Sequence, residues 1–407
     1  MARIIIVGAG IGGLTAAATL RHAGFEVRTV ERAVEFGEVG AGVQLGPHAT
    51  RVLAGLGLGD HLQRRGIVPS QVMFLRWQDS SVISAQSVAE SAVVLGAPYY
   101  TFYRPELIEM LASLLPEGTV RHGVAATGIT TIDDKPAVQL DDGNIETADL
   151  VVGADGTHST VRAQTIGDAI PRFSGMCAYR ALIPLERLAT DPQAARTVRC
   201  WMGPTRHLVV YPVGGGPRYL NVVAVVPESD WQSESWTSRG SVDELHSQFR
   251  GWSPDVIRIL DAVADPVYRW ALYDRGPLDT WSTETTTLLG DACHPMLPFL
   301  AQGAAQAIGD AAALGQALST SADLADALRR YEAARREHTA EIQRLSWQNN
   351  EVYHLLDGPA QQRRDEAMAQ PDGAGIMAWI FANDPYAVPC SNHIDDHSRT
   401  TNRKHVD

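Results

Sequence analysis

Three stretches carry residue types whose spacing could do chemistry. Gly8-Ala9-Gly10-Ile11-Gly12-Gly13 fits Gly-x-Gly-x-x-Gly. In such a run Gly8 allows a tight turn, Gly10 lets backbone approach a phosphate, and Gly13 lets a helix pack closely on a strand. The amides that open the helix supply partial positive charge. Glu31, 18 residues beyond Gly13, stands where a carboxylate accepts hydrogen bonds from a ribose diol. In the second stretch, His207-Leu208-Val209-Val210-Tyr211, strand alternation puts His207, Val209 and Tyr211 on one face. Four positions span about 13 Å of extended chain, so His207 and Tyr211 can line one pocket without bonding each other. The third, Cys293-His294, has the types of a nucleophilic pair, but no third group to orient it is evident from the sequence.

Local patterns supply the elements that must hold these residues. Arg3-Ile4-Ile5-Ile6-Val7 reads as a strand buried on both faces. Leu14 to Ala23 reads as a helix ending at Gly24, and Phe25 to Glu31 as a second strand, which completes a β-α-β unit. Helical patterns recur at Pro47 to Leu56 and Arg104 to Leu115, and buried strands at Asp149 to Val152 and Thr287 to Leu289. Gly55-Leu56-Gly57-Leu58-Gly59 has no strand before it and reads as a helix C-terminal turn. Arg196 to Met202, His207 to Val213 and Tyr219 to Val226 form an antiparallel meander pattern, followed by Trp231, Trp236 and Trp252. One helical region is expected from Gln302 to Leu356, then a polar tail from Ser391 with His393, His397 and His405.

Because the two textures interleave, the expected fold is α/β. A Rossmann-like dinucleotide domain assembles from 1–70, 97–172 and 275–345, and 71–96 and 173–274 form an inserted, mostly antiparallel substrate domain. A helical segment (346–390) and the tail (391–407) complete the chain. Forty-seven acidic against 34 basic residues give a net charge of −13, which argues against a nucleic-acid binder. Cys177, Cys200, Cys293 and Cys390 show no metal-ligand spacing, so no metal is expected and a reducing compartment fits. With no signal-peptide pattern and no apolar run near 20 residues, the expectation is a cytoplasmic protein, monomer or homodimer, away from membranes.

Three motifs in register resemble the single-component FAD-dependent aromatic hydroxylases, of the para-hydroxybenzoate and salicylate hydroxylase type. They are the glycine fingerprint with Glu31, Gly153-Ala154-Asp155-Gly156 running on to Arg162, and Gly290-Asp291-Ala292-Cys293-His294-Pro295. The resemblance covers about residues 3–345. It implies FAD as cofactor, NADH or NADPH as a transient reductant without its own domain, and O₂. The reduced flavin would form a C4a-hydroperoxide that hydroxylates a small aromatic acid or phenol. It places Gly8, Gly10, Gly12, Gly13, Glu31, Arg32, Gln44, Arg104, Ala126, Asp155, Asp291, Gly303 and Ala304 on the cofactor side. Cys293 and His294 become cofactor scaffold. Asp155 reads equally as a turn aspartate.

At the substrate end, Arg206 to Tyr211 resembles the 6-hydroxynicotinate and 3-hydroxybenzoate hydroxylases, which implies that His207 and Tyr211 act on a substrate hydroxyl. A base near neutral pH would raise the ring's electron density by deprotonating a phenol. Gln44 and Phe299, the latter beside Pro298, stand where the 6-hydroxynicotinate enzymes have histidine. Tyr353 to Pro359 resembles the salicylate and 3-hydroxybenzoate enzymes instead. Arg180 reads either as a carboxylate anchor or as a sheet-surface charge. The alternatives are another flavoprotein, a halogenase or dehydrogenase, or a catalytically silent flavin-binding sensor; the halogenase-type Trp-x-Trp-x-Ile-Pro stretch is missing.

Overall fold

Ile4, Ile5 and Ile6 are at most 1% exposed, the burial expected of a strand covered on both faces. In the computed structural model, Arg3–Val7 is the centre of a five-stranded parallel sheet. The order is Thr286–Leu288, Leu150–Gly153, Arg3–Val7, Glu26–Val30 and Val120–Arg121. The structure describes residues 2–36, 41–88, 93, 95–168, 170–188, 190–229, 239–370 and 375–389. Trp231, Trp236, Cys390 and the histidine-bearing tail lie outside them. The helix Ile11–His22 crosses from the first strand to the second and packs against Gly303–Thr320. At Gly315 a Cβ would stand only 2.4 Å from Thr19 Cγ2, so this residue sets the close approach of the two helices.

The second sheet has eight strands. Arg172–Pro184, Thr197–Gly203, Arg206–Val213, Tyr219–Pro227 and Val267–Asp274 pair antiparallel where they meet. Gln71–Arg76 joins alongside Thr197–Gly203 in parallel, Val82–Ser87 closes that edge, and the two-residue Arg239–Gly240 closes the other beside Val267–Asp274. One face packs its apolar residues against helices Val242–Gln248 and Pro254–Asp261, with Phe249 and Trp252 in the same cluster. The other face turns toward Phe299, Leu297 and Tyr353.

One expectation gains detail and another needs correction. The helical region over Gln302 to Leu356 consists of two helices, Gly303–Thr320 and Leu324–Val352. The break falls at Asp323, whose side chain accepts the Asp326 amide and starts a new helix. The helix expected at Pro47 to Leu56 ends at Leu53 and continues as a wider turn, Ala54–Leu58, into Gly59–Arg65. Gly57, at φ +92°, permits that kink.

Candidate active site

Val7 pairs with both Gly153 and Val30, so Gly8, Glu31 and Ala154 leave the parallel sheet at one edge. Gly8 has φ +102°, and a Cβ there would lie 2.4 Å from the Ala154 carbonyl oxygen. On Gly13 it would lie 2.0 Å from the Gly8 oxygen, and on Gly12 it would press Leu289. Gly10 is different: an added Cβ would meet nothing within 4 Å. The helix after it has no side-chain cap and no acid in its first turn. Open space before a bare helix N-terminus fits a pyrophosphate. Glu31 accepts the Ala9 amide at 2.7 Å and the Ala33 amide at 2.9 Å, one on each oxygen, which leaves lone pairs for a ribose diol. The segment from Arg121 to Val124 bonds along Glu31, so Ala126, which opens the next strand, starts near it. Arg32 is exposed beyond that edge. Asp155 takes Ser159 Oγ at 2.5 Å and the Thr160 and Val161 amides, and so holds its own turn at the start of helix Thr160–Thr165.

The Gly290 segment faces the same cleft. The helix Gly303–Thr320 opens at Gln302 with no side-chain cap; a Cβ on Gly303 would lie 3.7 Å from Asp291 Oδ1, and Ala304 is half-buried. Asp291 lines a half-open pocket and is itself exposed there; desolvation by the surrounding protein pushes its carboxyl up, and His294 and Arg104 oppose that shift. Burial lowers Arg104 to about 10, with Asp291 opposing. These small residues and matched charges fit the ribityl and ring side of a flavin.

Cys293, His294 and Asp310 converge within 4.8 Å, but as a brace. Cys293 donates to the Gly290 carbonyl, and burial pushes its thiol well above the usual range. Asp310 is fully buried and accepts from Arg335 Nε at 2.8 Å, His294 at 2.6 Å and the Gly290 amide at 3.0 Å. With the carboxylate taken by cation and amide, the cluster locks the Gly290 turn to two helices. Burial alone would raise the Asp310 carboxyl; His294 and Arg335 outweigh it and hold it at about 2. Asp310→Asn should therefore cost about 3–5 kcal/mol, read as a lower thermal midpoint. The sign fixes the pH window: this stabilisation is full above the ordinary 3.8 and is lost as pH falls through about 2. The gap between wild type and variant should narrow in acid; a constant gap would refute the assignment.

Across the large sheet, Arg180 pairs with Val223, which pairs with Val209. His207 pairs with Val225 and Tyr211 with Asn221, so all three predicted side chains share one face. The cavity against this face has about 150 Å³, and its lining includes Arg180, Trp270, Asp291 and Pro298. Arg180 Cζ sits 4.3 Å from the Trp270 ring centroid. Among the described residues its Nε is buried without a hydrogen-bond partner, and burial disfavours its charge, opposed by Tyr211. His207, Tyr211 and Phe299 are not among the residues that line this cavity. Tyr211 is 4% exposed and pushed up to about 12 by burial, with Arg180 and a hydrogen bond to Gln44 opposing. Gln44 also accepts from Tyr99. Gly42 is pinned between Tyr211 and Asn221, and its amide donates to Asn221 Oδ1 at 2.7 Å. His207 Nδ1 lies 2.7 Å from His354 Nε2, with the Phe299 and Tyr353 rings against it.

A family profile described as an FAD binding domain matches residues 1–346. The chain is 39% identical over 381 residues to 3-amino-4-hydroxybenzoate 2-monooxygenase PtmB3 of Streptomyces platensis, covering 93% of this chain and 95% of that one. It is 35% identical to 6-hydroxynicotinate 3-monooxygenase of Bordetella bronchiseptica, covering 95% and 96%. The chain belongs to the FAD-dependent aromatic monooxygenases. In fold, this monooxygenase matches Klebsiella pneumoniae HpxO complexed with FAD and uric acid, with a TM-score of 0.83, 25% identity and coverage of 95% and 97%. Sequence reasoning left three of the monooxygenase's contacts unseen: His354 on His207, Trp270 under Arg180, and Asp310 on His294. Each joins residues more than 15 positions apart, beyond any local motif. Among the described residues, no helix is long and apolar enough to cross a membrane.

Proposed function

We propose that this monooxygenase hydroxylates a small aromatic acid carrying a ring hydroxyl, using NADH or NADPH and O₂. The carrying observation is Arg180: a guanidinium with a buried, unpartnered Nε, beside an aromatic face in a cavity of about 150 Å³, close to the ~150 Å³ that holds benzene in a dry cavity. A substrate carboxylate would supply the missing acceptor, and charge-assisted bonds to arginine are the strong ones. FAD, when bound, supplies the redox chemistry that carries electrons from the nicotinamide to O₂ and one oxygen atom to the ring. Gly10, Glu31, Arg104 and Asp291 would hold that cofactor, and Pro298, Trp270 and Met296 line the pocket beside Asp291. We assign the phenol proton to His207 and Tyr211 because they share the Arg180 face of the sheet, just outside the cavity lining. The three described cysteines are free and buried, which suits a reducing compartment, and we place the enzyme in the cytoplasm.

The test is aerobic NADH and NADPH oxidation by FAD-loaded protein across a panel of hydroxybenzoates, aminohydroxybenzoates and hydroxynicotinates, with product and peroxide measured together. Strong stimulation with little peroxide supports the reading. Stimulation only by aromatics that lack a carboxylate would sink it. Tyr211→Phe should lower coupled hydroxylation roughly 10-fold or more while FAD stays bound, the low end of a general-base contribution. Wild-type turnover in that variant would remove Tyr211 from the proton path.

A further inference from the structure

Two glycines bracket Gln44. Gly42 is pinned between Tyr211 and Asn221 of the large sheet, and Gly46 follows the other end of the strand Gly42–Leu45. The backbone of Gly46, at φ −75° and ψ 169°, suits any residue. A Cβ there would nevertheless stand 2.4 Å from Cε1 and 2.7 Å from Cδ1 of Phe381. The space for a side chain at 46 is taken by a ring near the other end of the chain. That ring stacks on His48, with 5.6 Å between centroids, and meets Tyr99 edge-on at 6.0 Å. The Tyr99 hydroxyl donates to Gln44 Oε1. Phe381 thus touches both the backbone that ends the Gln44 strand and the tyrosine that holds the Gln44 side chain.

Phe381 is fixed by more than its own burial. It lies on the helix Gly375–Ala382, whose buried residues are Ile380 and Phe381. Both join an apolar cluster with Tyr99 and Leu300, and Met296, which lines the pocket beside Asp291, packs against it. Past the helix, Arg51 donates to the Asn383 carbonyl at 3.4 Å and Arg335 to Asn383 Oδ1 at 3.1 Å. Arg330 donates to the Pro389 carbonyl at 2.6 Å. Arg335 also holds Asp310, so the end of the chain and the Gly290 turn share one support. The Gln44 strand in turn borders the cofactor path. Leu45 packs in one cluster with Ala9 and Ile11 of the glycine fingerprint and with Ala305 and Ile308 of the helix Gly303–Thr320. The Arg104 amide donates to the Ala41 carbonyl at 2.9 Å, next to where that strand begins.

We propose that Phe381 is a positioning residue for the cofactor site: its ring, seated on Gly46 and Tyr99, sets Gln44 on the cofactor side. The inference rests on the placement of FAD along Gly10, Glu31, Arg104 and Asp291. The C-terminal segment 375–389 acts through two contacts. Gly46 passes the position of the ring into the backbone of the Gln44 strand, and Tyr99 passes it to the Gln44 amide. Residues in contact are energetically coupled, so changes at 46 and 381 should not add.

The experiment uses the full-length protein. FAD affinity is read by fluorescence quenching on titration into the deflavinated chain, and the surroundings of the bound flavin by its visible circular dichroism. Neither readout needs a substrate, so a wrong aromatic acid cannot imitate failure. Gly46→Ala drives a methyl into the Phe381 ring and should weaken FAD about 10-fold, with altered dichroism. Phe381→Val removes Cδ1 and Cε1, so in the Gly46→Ala background it should restore affinity to within about 3-fold of wild type. If Gly46→Ala does not fold, Tyr99→Phe, which keeps the ring and removes only the hydroxyl on Gln44, should alter the dichroism in its place. Gly10→Ala is the control for the FAD placement. Loss of affinity there, with wild-type affinity and dichroism in Gly46→Ala and Tyr99→Phe, would overturn the role of Phe381 and leave the placement standing. No loss at Gly10 would remove the placement, and the proposal with it. A lower thermal midpoint with affinity and dichroism unchanged would mean packing alone, and a double variant no better than Gly46→Ala would be equally fatal.

Discussion

Arg180→Met is expected to raise the KM for an aromatic carboxylate by about 30-fold or more, since removing one partner of a buried charge pair costs about 2–5 kcal/mol. The same change should leave FAD binding intact and the thermal midpoint equal or higher. A guanidinium that has an unpartnered buried Nε in the free enzyme is a burden until its ligand arrives. Arg180→Lys should recover only part of the loss, because an ammonium cannot make the paired bonds of a planar fork. The decisive control is a substrate analogue with the carboxylate replaced by a neutral group. If its KM rises as much as the acid's, Arg180 shapes the cavity without reading charge.

The second large effect separates cofactor from fold at two neighbouring glycines. Gly13→Ala should abolish soluble, FAD-loaded protein, because its methyl would stand 2.0 Å from the Gly8 oxygen, where backbone cannot yield. Gly10→Ala should leave the stability of the deflavinated protein within about 0.5 kcal/mol, as at a position with no special contact. Its methyl meets no atom of the described residues within 4 Å, and φ −72° suits any residue. FAD affinity should nevertheless fall about 10-fold or more, because the methyl occupies the approach of backbone to pyrophosphate. Quenching of FAD fluorescence on titration into deflavinated protein measures it. Wild-type affinity in Gly10→Ala would mean that the phosphates lie elsewhere.

The parts legible in the sequence were those written over short spans. The run Ile4 to Val7, the glycines after it and Glu31 fix the parallel sheet's working edge within about 30 residues, and all lie where that pattern puts them. Alternation also carried Arg206–Val213 to within a residue of its ends. What alternation cannot reveal is what a face meets. Gln44 and Tyr211 touch because the strand Gly42–Leu45 crosses under a sheet more than 160 residues later, and Asn221 fixes the crossing through the Gly42 amide. The helix break at Asp323 carries only a single capping aspartate as its signal, easily submerged between two helical patterns.

The parallel sheet takes its strands from residues 3–7, 26–30, 120–121, 150–153 and 286–288, and the large sheet takes two from before residue 90. A ribosome therefore releases most of the polypeptide before either sheet can close. Until Thr286–Leu288 emerges, the edge of Leu150–Gly153 has no neighbour on that side. Nascent chains cut short of that strand should bind no FAD and should depend on chaperones, since long-range parallel pairing is slow and leaves edges open to aggregation. Neither sheet is a cassette that can be excised at one cut.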